Sequence, residues 1–566
     1  MGKNIKEAYS ILKDKNESKR LLIWMKEVSK PFLSGIFVIL IVNMLSMVVS
    51  YASTIAGKYI VDDATSGDIN LKNMLIMGTT TVVSILIGVI SRIANDYINE
   101  RFSFNLREKM FSNVMRSKWF DISQFHSEDI ITRLTTDISS LASGLISFFP
   151  QLILTLLALI ISFFILFHYD RSMALLALIV GPMGAIFFVL FRKKYKKYQL
   201  QLRESESKYR SFMQESIMNL VVMKTFMQES NNEKVLADLR NDRLSVLLKS
   251  SKLGAVLSAS MRIIYNIGYV AAFCWGSYRI SKGIITYGTL TVFISLVSQI
   301  QGSISSLASI VPQVYGMLIS TKRICEITDT ENENYDEKSD VPDEVSVSVN
   351  NVEFAYRKSI VLNNISFEIN PGEKIGIVGT SGAGKTTLIR LLLSLVSPVS
   401  GEIKYKYKDG EEIACPASRR FISYVPQGNT LLSGTIRENL KIGNKNATDE
   451  MMYEALRLSD ASKFIEKLSD GLDTVLSEKS GGISEGQAQR ISIARALLAN
   501  KSMLILDEAT SALDETTEAH VLKNISENLK DKTCFYITHR PSMLKYCNRI
   551  IKIDDAGNIT MQEINN

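Results

Sequence analysis

Three short stretches bring together residue types suited to holding phosphates, a divalent cation and an attacking water. The first is IGIVGTSGAGKTTLIRLLL, where an apolar strand, Ile375 to Val378, runs into Gly379-Thr380-Ser381-Gly382-Ala383-Gly384-Lys385-Thr386 and then an amphipathic stretch. Glycines let the backbone curl until successive N–H groups point at phosphate oxygens; a lysine then reaches the β and γ phosphates, and the next hydroxyl suits Mg²⁺. Lys385 and Thr386 occupy those positions, and Thr387 is expected to add a contact. The second stretch is SMLILDEATSALD at 502–514, where Met503 to Leu506 reads as a buried strand ending in Asp507. Ligands of open α/β sheets bind at that carboxyl edge. Asp507 is therefore expected to hold the Mg²⁺ shell, and Glu508 to orient or deprotonate a water. Two acids after a strand otherwise make a solvated turn; the upstream glycine loop favours the chemical reading. The third stretch is GGISEGQAQR at 481–490, in which Ser484 and Gln487 are spaced as a capping box. A helix N-terminus also suits an anion, and these residues alone leave cap and anion contact both open.

The elements that must position these residues are strands alternating with helices over 345–566, the pattern of an α/β fold with a largely parallel sheet. That segment is not the whole chain. The 566 residues exceed a single core, since domains rarely pass about 250 residues. A composition 46% apolar with 22% charged residues and a mean hydropathy of +0.10 implies one greasy part and one soluble part. Cys274, Cys325, Cys415, Cys534 and Cys547 show no paired spacing and no cluster with the four histidines, so neither a disulfide framework nor a zinc site is supported.

Long apolar runs at 33–54, 73–92, 143–168, 172–191, 253–276 and 284–312 are each close to the ~20 residues that cross a bilayer. Six spans are expected, preceded by an amphipathic stretch at 20–32 that should lie along the interface with Trp24; no cleavable signal is read before it. Basic residues gather at the N-terminus, at 92–140 and in FRKKYKKY at 191–198, whereas 57–72 carries Asp62, Asp63 and Asp68 beside Lys58 and Lys72. The positive-inside rule makes the N-terminus cytoplasmic, with Arg279 and Lys282 a mild exception. The net charge of +7 is thus read as lipid headgroup contact, not nucleic acid. Two long connections, near 93–142 and 192–252, face the cytoplasm and repeat apolar residues at helical spacing. Acidic DTENENYDEKSDVPDE at 329–344 reads as a linker between a membrane domain at 1–328 and a second domain at 345–566. Arg262 and Asn266, four apart in the fifth span, are costly in lipid, so they are expected to face a cavity or a partner; attraction of an anionic cargo and a structural pairing both stay open.

The glycine loop, ISEGQ and the strand ending in Asp-Glu, in that order, resemble the nucleotide-binding domain of an ABC transporter. With six preceding spans and two long cytoplasmic loops, the chain resembles an exporter-type half-transporter. The fold class implied is a membrane all-α six-helix domain plus an α/β P-loop NTPase domain, multi-pass in the cell membrane with a cytoplasmic N-terminus and nucleotide-binding domain. By this resemblance Ser484, Gly486 and Gln487 touch the γ-phosphate of an ATP held by a second chain. The family's Leu-Ser-Gly-Gly-Gln is here Ile483-Ser484-Glu485-Gly486-Gln487, which bears on affinity more than on activity. Tyr356 in FAYRKS matches the adenine-stacking aromatic, and Gln427 the glutamine that contacts Mg²⁺ and water. Asp514 matches the residue that crosses the dimer interface, His539 the switch histidine near the γ-phosphate, and Glu478 an exporter-specific acid that meets the cytoplasmic loops. FHSEDIITRLTTD (125–137) and ESIMNLVVMKTFMQE (215–229) resemble the two loop motifs, with Glu128 and Asn219 where glycine is frequent.

The resemblance implies ATP and Mg²⁺ as cofactors and ATP-driven export by alternating access. It also implies a second half-transporter chain, the lipid bilayer and a transported substrate as partners. A homodimer is favoured because catalytic glutamate, histidine and signature are all kept; a heterodimer stays open. The cargo implied is a peptide, lipid or amphipathic drug-like molecule, with no cysteine-peptidase domain expected ahead of the first span. An ATP-dependent gate without cargo and an importer on the exporter architecture are the alternatives.

Overall fold

The computed structural model describes residues 14–68, 70–333, 341–356, 359–428, 430–476, 482–538 and 540–564. The chain divides into two compact units, Met1–Met115 with Phe125–Thr330, and Arg116–Gln124 with Glu331–Asn566.

The first unit is helical. Asp14 caps the Lys15–Ser29 helix by accepting from the Asn16 and Glu17 amides at 3.0 and 3.2 Å. Pro31 sits in the short turn Lys30–Phe32 that leads into Leu33–Ser66. Trp24 and buried Met25 pack with Ile324 and Ile327, so this amphipathic stretch has a protein-covered face. Among the described residues four helical segments are long and apolar enough to cross a membrane: Lys15–Ser66, Leu71–Arg116, Ser127–Tyr169 and Glu229–Ser281. The expected fourth and sixth spans fall inside the Arg171–Met218 and Tyr287–Thr328 helices. Leu71–Arg116, with 46 residues, is about 70 Å long, more than twice a ~30 Å hydrocarbon core. Its surplus, like that of the 53-residue Glu229–Ser281, forms the long connections read in the sequence as helical.

Two buried clusters organise this unit. One joins Phe102, Leu106, Met110, Ile138, Leu141 and Met317; the other joins Tyr51, Leu166, Ala272, Phe293 and Leu296. Beside the first, Arg133 donates to Asp129 and Glu326, both at 2.8 Å, and to the Arg323 carbonyl at 2.6 Å. Arg323 in turn pairs with Asp129 and Asp137, and the Ser320 hydroxyl donates to Asp137 at 2.8 Å.

In the second unit the strands are β1 (Val345–Tyr356), β2 (Ser359–Ile369), β3 (Lys374–Gly379), β4 (Ser400–Tyr407), β5 (Gly410–Ile413), β6 (Ile422–Val425), β7 (Gly434–Thr435), β8 (Val475–Leu476), β9 (Met503–Asp507), β10 (Thr533–Ile537), β11 (Arg549–Ile553) and β12 (Ile559–Glu563). An antiparallel sheet runs β2-β1-β4-β5, and a six-stranded sheet runs β12-β11-β3-β10-β9-β6. In the latter β11, β3, β10, β9 and β6 are parallel, and only the edge strand β12 is antiparallel. β9 and β10 are buried along their whole length, which is why both read as unbroken apolar runs with no alternation. Residues 116–124 belong to this unit: Trp119 and Phe120 pack on its core, with the Arg390 guanidinium 4.9 Å from the Trp119 ring.

Candidate functional site

The parallel register brings four strand ends level. Ile377 lies opposite Ile537, Ile537 opposite Asp507, and Leu506 opposite Val425. One carboxyl edge therefore delivers the glycine loop after β3, Thr538 after β10, Asp507 and Glu508 after β9, and Gln427 after β6. That is where open parallel sheets bind ligands.

The glycine loop is shaped by backbone geometry that side chains oppose. Gly384 has φ +105° and caps the Lys385–Leu392 helix; a Cβ there would meet Val361 and Leu362 at 3.1 Å. Gly379 passes so close to β11 that a Cβ would lie 2.6 Å from the Ile553 carbonyl oxygen. Gly382 has φ +87° and open space around it, so its requirement is conformational. The buried Lys385 ammonium donates to the Gly379 and Thr380 carbonyls at 2.8 and 2.9 Å, which holds the charge in the middle of its own loop. The Thr380 hydroxyl turns to Asp555, Ser381 and Thr386 are exposed, and Ala383 and Thr387 are buried.

Asp507 is buried and accepts from the Tyr424 hydroxyl at 3.1 Å. Burial pushes its carboxyl above the usual aspartate range, a shift that the Tyr424 hydrogen bond opposes and the charge of Glu508 reinforces. Glu508 has φ +49°, a left-handed conformation that costs a side-chain-bearing residue about 1–3 kcal/mol. Its N–H donates to the Ile537 carbonyl at 3.1 Å, which fixes the turn. The Gln427 Nε2 group donates to Glu508 Oε2 at 2.6 Å, and that orientation leaves the Gln427 carbonyl oxygen as a hard acceptor. Thr386, Asp507 and Gln427 together make an all-oxygen donor set. With Asp507 as its one carboxylate, this set fits Mg²⁺, which takes hard oxygen ligands including one or two carboxylates beside phosphate oxygens.

The capping box is formed: the Ser484 amide donates to Gln487 Oε1 at 2.8 Å, and the Gln487 amide to Ser484 Oγ at 3.3 Å, at the start of the Glu485–Leu498 helix. Gly486 faces the loop after Glu508 so closely that a Cβ would sit 2.8 Å from the Ala512 carbonyl oxygen. Among the described residues, none of these three shares a hydrogen bond with the Gly379–Thr387 loop. Asp514 caps the Glu515–Asn528 helix, where the Thr516 hydroxyl and the Thr517 amide hold its carboxylate well below the usual range. Half-buried Tyr356 lies 6.0 Å from Phe120 and accepts at its hydroxyl from Arg390 at 2.9 Å. His539 and Glu478 lie outside the described residues.

Sequence reasoning missed several contacts. Tyr424 on Asp507 is one. Another is a clamp on the loop after Glu508: Gln489 donates to Ser511 Oγ at 3.2 Å and accepts from the Ala512 amide at 3.1 Å, while Arg540 donates to the Ser511 and Leu513 carbonyls at 2.9 and 3.2 Å. A third is the packing of Trp119 and Phe120, which lie just before the 125–137 stretch singled out as a loop motif.

Comparison with known proteins bears on this arrangement. Residues 362–511 match the family described as "ABC transporter", and residues 32–304 match "ABC transporter transmembrane region". The chain is 30% identical to the "Uncharacterized ABC transporter ATP-binding protein YknU" of Bacillus subtilis (strain 168), over 81% of this chain and 80% of that one. It is 29% identical to an "ATP-dependent lipid A-core flippase" of Syntrophus aciditrophicus (strain SB), over 80% of this chain and 76% of that one. Among solved structures, a bacterial Atm1-family ABC exporter with ATP bound shares the fold with a TM-score of 0.76 and 23% identity, over 95% of this chain and 96% of that one. With its membrane region and ATP-binding region fused in one chain, the protein belongs to the ABC transporter family, as an exporter-type half-transporter that binds ATP and couples its hydrolysis to export across a membrane.

Proposed function

We propose that ATP is hydrolysed in a site shared by two copies of this chain, and that the cycle drives alternating access for a peptide, lipid or amphipathic cargo. The observation that carries the catalytic part is the convergence of Lys385, Asp507 and the Gln427–Glu508 pair on one sheet edge. In this reading the N–H groups of Gly379–Thr387 cradle the phosphates, and Lys385 swings from its loop carbonyls to the β and γ oxygens. Tyr356 stacks on the adenine. Thr386, Asp507 and Gln427 hold Mg²⁺, which when bound neutralises charge on the β and γ phosphates. Glu508, fixed by Gln427 and by its strained backbone, accepts a proton from the water that attacks the γ phosphorus. His539 is assigned to the γ-phosphate.

Ser484, Gly486 and Gln487 are assigned to the ATP of the partner chain. The capping box consumes the Gln487 amide but leaves first-turn N–H groups for an anion, so cap and phosphate contact coexist. A homodimer is favoured because the chain keeps Glu508, His539 and the Ser484–Gln487 signature, and the need for a second chain is supported by surfaces that a single chain leaves uncovered. The short Leu220–Thr225 helix ends a long helical hairpin, and around it Val221 and Met227 are 79% and 85% exposed. Apolar tips of that kind mark interaction sites. A lipid cargo is supported by the flippase relative.

The test is ATP-dependent uptake into inside-out vesicles that contain the purified protein. Accumulation of cargo supports export, whereas stimulated hydrolysis without movement supports a gate. Lys385→Ala should abolish both hydrolysis and uptake.

A further inference from the structure

Resting on the export reading, we propose that the cargo of this half-transporter is anionic and presents a hydrophilic charged end to the membrane unit. It carries a carboxylate or phosphate that Arg107 engages, on a body rich in hydrogen-bonding groups. A cavity of about 960 Å³ in the membrane unit is lined by Arg107, Ser139, Ser143, Ser147, Gln151 and Gln313, among others, with Phe148 and Met317 its only large apolar side chains among the described residues. A second cavity, of about 470 Å³, shares Gln151 and Ser306 with the first and continues among Asn43, Ser50, Gln299 and Ser303, with Met47 and Leu154 its large apolar side chains among the described residues. Among the described residues no aspartate or glutamate lines either one. Arg262 and Asn266, exposed on their helix, line neither.

Position gives this lining its meaning. Asn43, Ser50, Gln151, Gln299 and Ser303 lie within apolar runs expected to span the bilayer, where hydroxyls and amides facing lipid are costly. Gathered along two cavities that share Gln151 and Ser306, they give a polar route its lining. Arg107 lies fifteen residues beyond the 73–92 run, at the route's cytoplasmic mouth. Its Nη2 donates to Ser139 Oγ at 2.8 Å and its guanidinium lies 5.3 Å from the Phe104 ring, but its buried Nε has no partner. A guanidinium fork with a donor to spare suits a carboxylate or phosphate, which it grips with two parallel hydrogen bonds. The helix along this wall breaks its regular spacing twice, in π turns at Arg133–Asp137 and Gly144–Phe148 that turn Thr135, Thr136, Gly144 and Ser147 towards the cavity. Such turns gather at functional sites. Sites for apolar cations are instead built from aromatic and methionine side chains, and of these Phe148, Met317 and Met47 stand among a majority of hydroxyl- and amide-bearing residues.

The test uses the full-length protein in inside-out proteoliposomes with Mg-ATP and four probes: the tripeptide Ser-Asp-Glu, its fully amidated form, a fluorescent phosphatidylglycerol and ethidium. We expect uptake of the acidic tripeptide, or flipping of the lipid, and the one that moves tells a soluble anion from a headgroup. For the anion moved, Arg107→Gln should raise the half-saturating concentration about 10-fold or more and collapse the preference for acidic over amidated tripeptide, with Arg107→Lys retaining part of both. Unchanged melting of both variants separates this from misfolding. Movement of ethidium or the amidated tripeptide in place of both anions, or anion uptake indifferent to Arg107→Gln, would overturn the inference while leaving export intact. ATP hydrolysis that moves neither anion would likewise overturn the inference, and export itself would then be tested with uncharged cargo.

Discussion

Replacing Glu508 with glutamine should stop turnover while leaving nucleotide binding alone. The magnitude follows from what the substitution keeps. Glutamine is isosteric, so it can still accept the 2.6 Å hydrogen bond from Gln427, and the backbone at φ +49° stays held by the Ile537 carbonyl. What disappears is the proton acceptor, worth about 10²- to 10⁴-fold in rate, or roughly 3–5 kcal/mol of barrier. ATP affinity should shift by less than about 2-fold, because no phosphate contact is touched. A companion variant, Glu508→Gly, relieves about 1–2 kcal/mol of left-handed strain and gives back roughly 0.5–1 kcal/mol in backbone entropy. It also gives up the Gln427 hydrogen bond, about 1 kcal/mol, so it should melt close to the parent although it is just as inactive. The assay pairs steady-state phosphate release from reconstituted protein with titration of a fluorescent ATP analogue and a melting curve. Turnover of Glu508→Gln within about 10-fold of the parent, with binding intact, would refute the assignment of Glu508 as proton acceptor.

Other outcomes follow from the same geometry. Gly486→Ala forces a Cβ to within 2.8 Å of the Ala512 carbonyl oxygen, an overpacking of about 1–3 kcal/mol that should lower ATPase activity more than it lowers single-chain ATP affinity. Arg133→Ala strips the 7%-exposed guanidinium from Asp129 and Glu326, whose carboxylates stay partly in solvent, and should cost about 1–3 kcal/mol, visible as a drop in melting temperature in detergent. Chelation of Mg²⁺ should leave ATP bound through the Gly379–Thr387 loop but abolish phosphate release, and Asp507→Asn should raise the Mg²⁺ concentration needed for half-maximal activity about 10-fold or more.

Local motifs were legible because their chemistry is local. The Gly379–Lys385 loop needs only positive φ and close backbone approach, which glycine spacing announces, and the Ser484–Gln487 box closes within one helical turn. The buried strands β9 and β10 were legible as unbroken apolar runs for the same reason. Contacts set by strand order were not. Tyr424 and Asp507 stand 83 positions apart and meet only because β6 pairs with β9, a neighbourhood that no periodicity records. The clamp of Gln489 and Arg540 on 511–513 likewise joins three separate segments. The membrane spans were marked by hydropathy, but the full reach of the helices was not, since their cytoplasmic extensions are charged on the outside and bury Phe102, Leu106 and Met110 on the inside. Strain at Glu508 left no trace in composition, because nothing distinguishes a glutamate held at φ +49° from one in a solvated turn.

The central claim is that each ATP is gripped by the glycine loop of one chain and the Ser484 helix start of the other. Co-assembly of Lys385→Ala chains with Ser484→Arg chains tests it most directly. Each variant alone should be inactive. In a mixed dimer, both lesions fall in one shared site and leave the other whole, so the account predicts restored phosphate release and one trapped nucleotide per dimer. Mixed dimers as inactive as their parents, with no nucleotide trapped, would mean that each chain completes its own site, and the shared-site account would be contradicted.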